Sequence, residues 1–386
     1  MKLRLKFKRL NRLFPFLFVL LLASVSCAQM KEVSEGQHSG NDADLKNAVD
    51  KYLQEVSRRP EIAGLAVAVT KNGRTVFANG YGEANLEKGH SVTPGTRFQI
   101  ASVTKPFTAM AVMLLVEDGK IKLDRPAREY LTWLPEKYSR ITVRQLLSHT
   151  SGVNRDVRDD NLDTFGEVEF RRRLESRPVS FAPGERFEYS NTGYIILGML
   201  VESVSGESYG SFVSKRILEP LGMKDTSYYD PPSEASDRAL GYEYTDGKFS
   251  KASYFPGGFA AGGMVSSASD MAKFASAISD GKLLMGSGYQ EIYSPAKLGN
   301  GTPVSLKMGG MFEGEETGYG FGWWLTGYKG RTLLTHGGGV SGFSAILNRY
   351  PEEGVSITVL ANTKTAGVDR IAEGVADIVL TGPSDK

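Results

Sequence analysis

Ser102 and Lys105 stand three residues apart in Ser102-Val103-Thr104-Lys105, where Phe98-Gln99-Ile100-Ala101 gives way to an apolar helical run through Met110, Met113, Leu114 and Val116. On a helix, residues three apart are neighbours, with roughly 5 to 6 Å between Cβ atoms, so the hydroxyl and the amine can meet. The start of a helix also favours developing negative charge. Such a pair suits nucleophilic catalysis. A serine is a weak nucleophile at its own pKa and needs a neighbouring base. A lysine, ordinarily near 10.4, serves only if burial or a partner lowers it, and burial can do so by up to about 3 to 5 units. Alone, the motif reads as a helix cap followed by a solvated lysine. Ser294-Pro295-Ala296-Lys297 matches the same spacing but runs into Leu298-Gly299-Asn300-Gly301, which leaves no room for a helix to align its side chains.

Two further elements carry complementary chemistry. Tyr189-Ser190-Asn191 follows the turn-like Phe181-Ala182-Pro183-Gly184 and precedes a helical pattern over Gly193 to Ser203. A phenol can exchange protons with Ser102 and a leaving group if a nearby cation favours the phenolate, and Lys105 would be that cation. Asn191 offers an acceptor and donors for a substrate carbonyl or amide; read in isolation it is also a polar helix cap with Tyr189 packed beneath it. His336-Gly337-Gly338-Gly339 ends a strand-like stretch, and its glycines would let a substrate approach the backbone. A backbone N–H there would complete an oxyanion hole with that of Ser102, a donor whose loss typically costs roughly 100- to 1,000-fold in rate. Taken alone, glycines after a strand are a turn, and His38-Ser39-Gly40 repeats the pattern in an unstructured context.

In this order and context the three elements resemble the Ser-x-x-Lys, Tyr-x-Asn and Lys/His-x-Gly signature of penicillin-recognising serine enzymes. The branch they look most like contains class C β-lactamases, D-stereospecific peptidases and related esterases. The likeness continues through Leu146-Leu147-Ser148-His149-Thr150-Ser151-Gly152, Glu219-Pro220-Leu221-Gly222-Met223, Ala261-Gly262-Gly263-Met264 and Tyr319-Gly320-Phe321-Gly322-Trp323, and spans about Leu45 to Leu380. The resemblance implies a sheet domain plus a helical domain, no metal, no cofactor, and an acyl-enzyme on Ser102. It carries Lys105 and Tyr189 over as the activating pair, Asn191 and His336 to Gly338 as substrate-side groups, and the Gly339 N–H as the second oxyanion donor. The expected partner is a small-molecule or short peptide substrate: an ester, a D-amino-acid peptide or a β-lactam. One departure bears on this, because many β-lactamases carry Lys where this chain has His336, and neutral His supplies less charge to a β-lactam carboxylate. A non-hydrolytic acyltransferase and a sensor that acylates without turnover use the same residues and stay open.

Other motifs compete less well. Gly206-Glu207-Ser208-Tyr209-Gly210 imitates a nucleophile elbow, but that motif requires a preceding strand and here follows a helical pattern, so Ser208 reads as a helix cap. Lys364-Thr365-Ala366-Gly367 imitates Lys-Thr-Gly but comes after the last strand. The four histidines, His38, His90, His149 and His336, are dispersed, with no His-Glu-x-x-His pair to suggest a metal. His149 reads as structural at a turn, and Trp323-Trp324 as core and pocket wall.

The elements that must position these residues begin after an export-type leader. Lys2, Arg4, Lys6, Lys8, Arg9 and Arg12 precede an apolar run from Phe14 to Ala23 and then small residues, the order of a signal peptide over 1–28. The run is about ten residues, where a spanning helix needs roughly 20. Cleavage before Gln29 would remove the only cysteine; alternatively Cys27 is a lipidated first residue. Either way no disulfide is expected, and an exported location, periplasmic or extracellular, follows. Removing the six basic residues takes the formal charge from +2 to −4, and no basic cluster remains, which argues against nucleic acid as a partner.

Residues 29–44 read as a flexible tether. Leu45, Val49, Leu53 and Val56 recur at helical spacing until Arg59 and Pro60. Ala63 to Thr70 and Thr75 to Tyr81, joined through Asn72-Gly73, predict a hairpin. Helical patterns follow over Thr108 to Glu117, Gly193 to Ser203 and Ser211 to Leu218. Strand character returns over Gly320 to Leu325, Arg331 to Thr335, Ser344 to Tyr350 and Val355 to Ala361, before a last helix over Val368 to Leu380. The pattern predicts an α/β (α+β) fold: an antiparallel sheet flanked by N- and C-terminal helices, with a mostly helical domain inserted between early and late strands. The expected division is 45–100 and 315–382 for the sheet and 101–314 for the insertion, with the site where they meet.

Overall fold

A computed structural model of the chain describes residues 43–156, 167–228, 235–255, 257–307 and 315–381. The leader, Cys27 and most of the expected tether lie outside these residues. Helix α1 (43–56) leads into strands β1 (Gly64–Lys71), β2 (Arg74–Asn85), β3 (His90–Ser91) and β4 (Phe98–Gln99). A short 3-10 turn, Ala101–Val103, opens α2 (Thr104–Glu117). The middle of the chain holds α3 (Val143–Leu147), α4 (Glu167–Ser176), α5 (Asn191–Ser205) and α6 (Tyr209–Val213). After these come β5 (Ser227–Tyr228), β6 (Tyr242–Thr245), β7 (Lys248–Lys251), β8 (Met264–Ser266), α7 (Ala268–Ser279) and α8 (Gly286–Ile292). Strands β9 (Leu306–Lys307), β10 (Glu316–Tyr319), β11 (Trp324–Tyr328), β12 (Arg331–Val340), β13 (Phe343–Tyr350) and β14 (Val355–Ala361) precede the final helix α9 (Val368–Thr381).

Nine strands form one sheet in the order β3-β2-β1-β14-β13-β12-β11-β10-β9, with every neighbouring pair antiparallel. The early hairpin therefore sits beside the last strand, Val67 opposite Val359. This is the mixed antiparallel fold that the alternation of early strands, helices and late strands predicts. Both faces of the central strands are covered, which explains why Ala63 to Thr70 is apolar almost throughout. Leu65, Val67 and Val69 join Val49 and Leu53 of α1 and Ile371 and Val375 of α9 in one core. Ala66 and Ala68 face the other way, into the core that holds α2, α5 and α7. Their small side chains let α7 lie close against β1 and β14.

Two strand expectations need correction. The stretch Gly320 to Leu325 is not one strand: β10 ends at Tyr319 and β11 starts at Trp324, with a turn between. Gly322 in that turn has φ +77°, and a Cβ there would come within 2.9 Å of the Lys105 carbonyl oxygen, so the chain must bend at a residue without a side chain. Conversely, the glycines after His336 do not end the strand. They continue β12 to Val340 and pair with β13, Gly338 opposite Ala345. The helix expected over Ser211 to Leu218 also divides: α6 ends at Val213 and a π-helical turn covers Ser214–Leu218.

Gly322→Ala should destabilise the protein by roughly 1 to 3 kcal/mol, from a positive φ that alanine tolerates poorly and a contact with the backbone of α2. Urea denaturation measures this; a variant as stable as the parent would show that this turn does not set the packing of β10 and β11 on α2.

Candidate active site

Ser102 lies in the 3-10 turn that feeds α2, and its approach is constrained from both sides. Ala101 adopts φ +46°, unusual for a residue with a side chain. Opposite it, Gly338 of β12 presses so close that a Cβ would sit 2.3 Å from the Ile100 carbonyl oxygen and 2.9 Å from the Ser102 nitrogen. Only glycine lets the strand run this near the serine. Residues 336–340 extend past the last pair that β11 makes with β12, Trp324 with Thr335, and leave that edge of the strand open beside Ser102.

Lys105, one turn on, is fully buried. Its Nζ donates to Ser102 Oγ at 3.2 Å, Asn191 Oδ1 at 2.8 Å and the Ala261 carbonyl at 2.7 Å. Three acceptors match the three N–H donors of an ammonium. The cation also lies 4.7 Å from the centre of the Tyr189 ring and 5.4 Å from that of Tyr194. The same helix is tied to the 260–264 segment twice more, by Thr108 Oγ1 donating to the Ala260 carbonyl at 2.6 Å and by Met264 N–H donating to Thr104 Oγ1 at 3.2 Å.

Tyr189 and Asn191 come from the start of α5. The cap of that helix is Ser190, whose side chain accepts the Gly193 N–H, and not Asn191. This frees Asn191 to face inward, where its Oδ1 holds Lys105 and its Nδ2 donates to the Asp156 carboxylate at 3.2 and 3.3 Å. Burial holds the Tyr189 phenol well above the usual range, against smaller opposing effects of neighbouring Ser102 and Arg155. The resting phenol is neutral. The cation expected to favour a phenolate sits over the face of the ring.

His336 departs further from expectation. It is buried, its Nδ1 lies 2.8 Å from the Gly337 carbonyl oxygen, and its Nε2 lies 3.3 Å from Tyr319 Oη. Both nitrogens are engaged within the protein, so His336 presents neither to a substrate. Burial first, then the charge on Lys105, pushes its pKa down to about 3. His149, expected to be structural at a turn, does occupy one with φ +58°. It also forms the floor of the site, with its ring centre 4.4 Å from that of Tyr189. Burial and Lys105 hold it well below the ordinary histidine value. Sequence reasoning assigned no site role to His149, Tyr319, Asp156 or the Ala261 carbonyl. Three of the four fall in the family-like segments around 146–152, 261–264 and 319–323, which is the signal that points to them.

Trp323 is core, as expected, while half-buried Trp324 stacks on Tyr189 at 6.1 Å with an interplanar angle of 8° and meets Phe187 at 5.7 Å. The competing serines are placed elsewhere. Ser208 caps α6, and Ser294 donates to the Gln290 carbonyl, with Lys297 exposed. Among the described residues, no group of three or more His, Cys, Asp or Glu could hold a metal ion. No described helix is long and apolar enough to cross a membrane.

The depressed histidines make stability depend on pH. Both must stay neutral in the folded state, whereas the unfolded chain protonates them near 6.5, so their contribution is complete above that value and is lost as pH falls toward 3. The unfolding free energy should fall below pH 6.5 with a slope approaching about 1.4 kcal/mol per pH unit for each imidazole. Urea titrations at pH 7, 6 and 5 measure the slope. His336→Gln should remove one imidazole's share, and an unchanged slope would mean that His336 accepts a proton in the folded protein.

The chain is similar to known proteins along most of its length. Residues 49–380 match the Beta-lactamase family model. Protein flp of Staphylococcus aureus strain N315 is 26% identical over 341 residues, covering 86% of this chain; the chain spans 66% of the length of that relative. Among solved structures, the octameric penicillin-binding protein homologue from Pyrococcus abyssi superposes with a TM-score of 0.74 at 30% identity, over 87% of this chain and 78% of that one. The D-amino acid amidase from Ochrobactrum anthropi SV3, complexed with L-phenylalanine amide, gives a TM-score of 0.75 at 28% identity, over 87% and 99%. With the family model matched over residues 49–380 and the fold shared over 87% of the chain, this protein belongs to the Beta-lactamase family.

Proposed function

We propose that this chain is an exported serine hydrolase that cleaves an ester or amide through an acyl-enzyme on Ser102. The observation that carries this reading is a fully buried Lys105 ammonium bonded to Ser102 Oγ at 3.2 Å, with the Tyr189 ring centre 4.7 Å from the same Nζ. One proton must first leave the Lys105–Tyr189 pair, because a charged lysine and a neutral phenol leave no base. The Ser102 proton then passes to that pair as Oγ bonds to the substrate carbonyl carbon. The N–H groups of Ser102 and Gly339 receive the oxyanion. The bond to the leaving alcohol or amine breaks, Tyr189 supplies its proton, and an acyl-Ser102 remains. Water adds to the acyl carbon with its proton going to the pair, and release of the acid restores the serine.

The reading treats 45–100 and 315–382 as a sheet domain and 101–314 as the inserted helical domain, with acylation at their junction. Asn191 acts mainly by holding Lys105. Substrate choice follows from charge and shape. His336 is neutral and internally bonded, so β12 offers no fixed cation to a substrate carboxylate. Phe187 and Trp324 beside Tyr189 suit an apolar or aromatic substituent. These features favour a small ester or a D-amino-acid amide or peptide over a β-lactam. The basic and apolar leader supports export to the periplasm or beyond, with cleavage before Gln29.

Ser102→Ala should abolish both hydrolysis and labelling by a fluorophosphonate probe, while Ser208→Ala and Ser294→Ala keep them; labelling that persists in Ser102→Ala would move the nucleophile elsewhere. Tyr189→Phe should lower kcat by about 100- to 10,000-fold with an unchanged far-ultraviolet spectrum. A near-normal rate would remove Tyr189 from the proton relay. Short-chain nitrophenyl esters, D-alanyl peptides and a chromogenic cephalosporin assayed together should rank in that order, and fastest opening of the cephalosporin would overturn the substrate reading.

A further inference from the structure

A chain of four hydrogen bonds, three of them buried, runs beneath the site. It links the backbone between Tyr189 and Asn191 to the backbone of the glycine strand. The Ser190 N–H donates to His149 Nδ1 at 3.1 Å. His149 Nε2 lies 3.2 Å from Tyr319 Oη, which lies 3.3 Å from His336 Nε2. His336 Nδ1 lies 2.8 Å from the Gly337 carbonyl oxygen. His149, Tyr319 and His336 are all essentially inaccessible to solvent.

Both ends of this chain are backbone groups whose polarity cannot change. An amide N–H only donates, so His149 Nδ1 must be the bare nitrogen and Nε2 must carry the hydrogen. A carbonyl only accepts, so His336 Nδ1 carries the hydrogen and Nε2 is bare. Tyr319, between them, receives from His149 and gives to His336, the arrangement that satisfies both imidazoles. Neighbouring Tyr194 has its own hydroxyl committed to the Leu147 carbonyl at 2.8 Å, and Lys105 is the cation that faces the two imidazoles. Their strongly lowered pKa values accord with two neutral rings.

We infer that His149 and Tyr319 are positioning residues: they lock His336 in the Nδ1–H tautomer so that it clamps the Gly337 carbonyl and orients the peptide planes of Gly337 to Gly339 against Ser102. The need for a clamp is physical. Three successive glycines give β12 the close approach that Ser102 requires, yet they are the residues with most conformational freedom to lose. An oxyanion donor on such a segment works only if held close to its productive position. The wire supplies that restraint from behind the strand, and it couples the strand to the segment that carries Tyr189. The inference rests on the acyl-enzyme reading for its effect on rate, but not for its tautomers.

Nitrogen NMR of 15N-histidine-labelled protein at pH 7 tests it directly. The chain has four histidines, and His149→Gln and His336→Gln variants assign the two signals. The expected result is an Nε2–H tautomer for His149 and an Nδ1–H tautomer for His336; the opposite tautomer at either ring overturns the wire, whether or not any variant is active. Tyr319→Phe should release His336 from a single tautomer and lower kcat on a nitrophenyl ester about 10- to 100-fold, with KM within about twofold. Unchanged kcat in a folded Tyr319→Phe would overturn the positioning role. If Ser102→Ala stayed active, the acyl-enzyme reading would fall while the two tautomers stood.

Discussion

A buried ammonium is the constraint on which the rest of this structure depends. Taking the Lys105 charge out of water costs several kcal/mol unless partners replace its hydration. Here they come from Ser102 beside it and from two distant parts of the chain, Asn191 at the start of α5 and the Ala261 carbonyl ahead of β8. Each partner must arrive in place for the cation to be tolerated, so the lysine beside Ser102 also dictates where the helical segments converge. Thr104 and Thr108 on the same helix reinforce the tie to residues 260–264, and Tyr209 supports Thr108 at 2.8 Å.

The second requirement is proximity between the sheet and the start of α2. It is met by removing side chains rather than adding contacts. Gly338 lets β12 meet the Ile100–Ser102 backbone, and Gly322 lets the turn before β11 meet the Lys105 carbonyl. Strain is concentrated at the same place, in the positive φ of Ala101. Strained backbone persists where surrounding structure over-determines it, and here a sheet strand, a buried cation and the 260–264 segment all bear on three residues. Ser102 is held half-exposed at this crowding point.

Much of this was legible in the sequence because its signals were local. The Asn72-Gly73 turn announced the first hairpin, the spacing of Leu45, Val49, Leu53 and Val56 announced α1, and Ser102 and Lys105 were paired by helical periodicity alone. What periodicity missed has a common cause. Gly320 to Leu325 reads as a strand because its side chains are apolar, yet Gly322 within it answers to α2, over two hundred residues earlier, and Gly320 to the Ile292 carbonyl. His336 reads as a substrate-side group because it opens a glycine motif, yet its ring turns inward to a tyrosine seventeen residues upstream. Residue type alone does not say which way a strand side chain points. Other signals were local and overlooked: Asp246-Gly247 turns the β6–β7 hairpin, and Ser267, which accepts the Asp270 N–H, starts α7.

Charge balance in the pocket connects these features to specificity. Lys105 is the cation at its centre, and the two imidazoles that face it are neutral because a second buried charge would go unpaired. A lysine in place of His336 would bring three donors to a position where one neighbour, Gly337, accepts, and where the other, Tyr319, receives its proton from His149. The buried tyrosine and histidine behind the strand therefore oppose a fixed cation at this position as firmly as the strand opposes a side chain at Gly338. Neutrality at position 336 is therefore a property of the whole wire, tied to the contacts that His149 and Tyr319 make behind the strand.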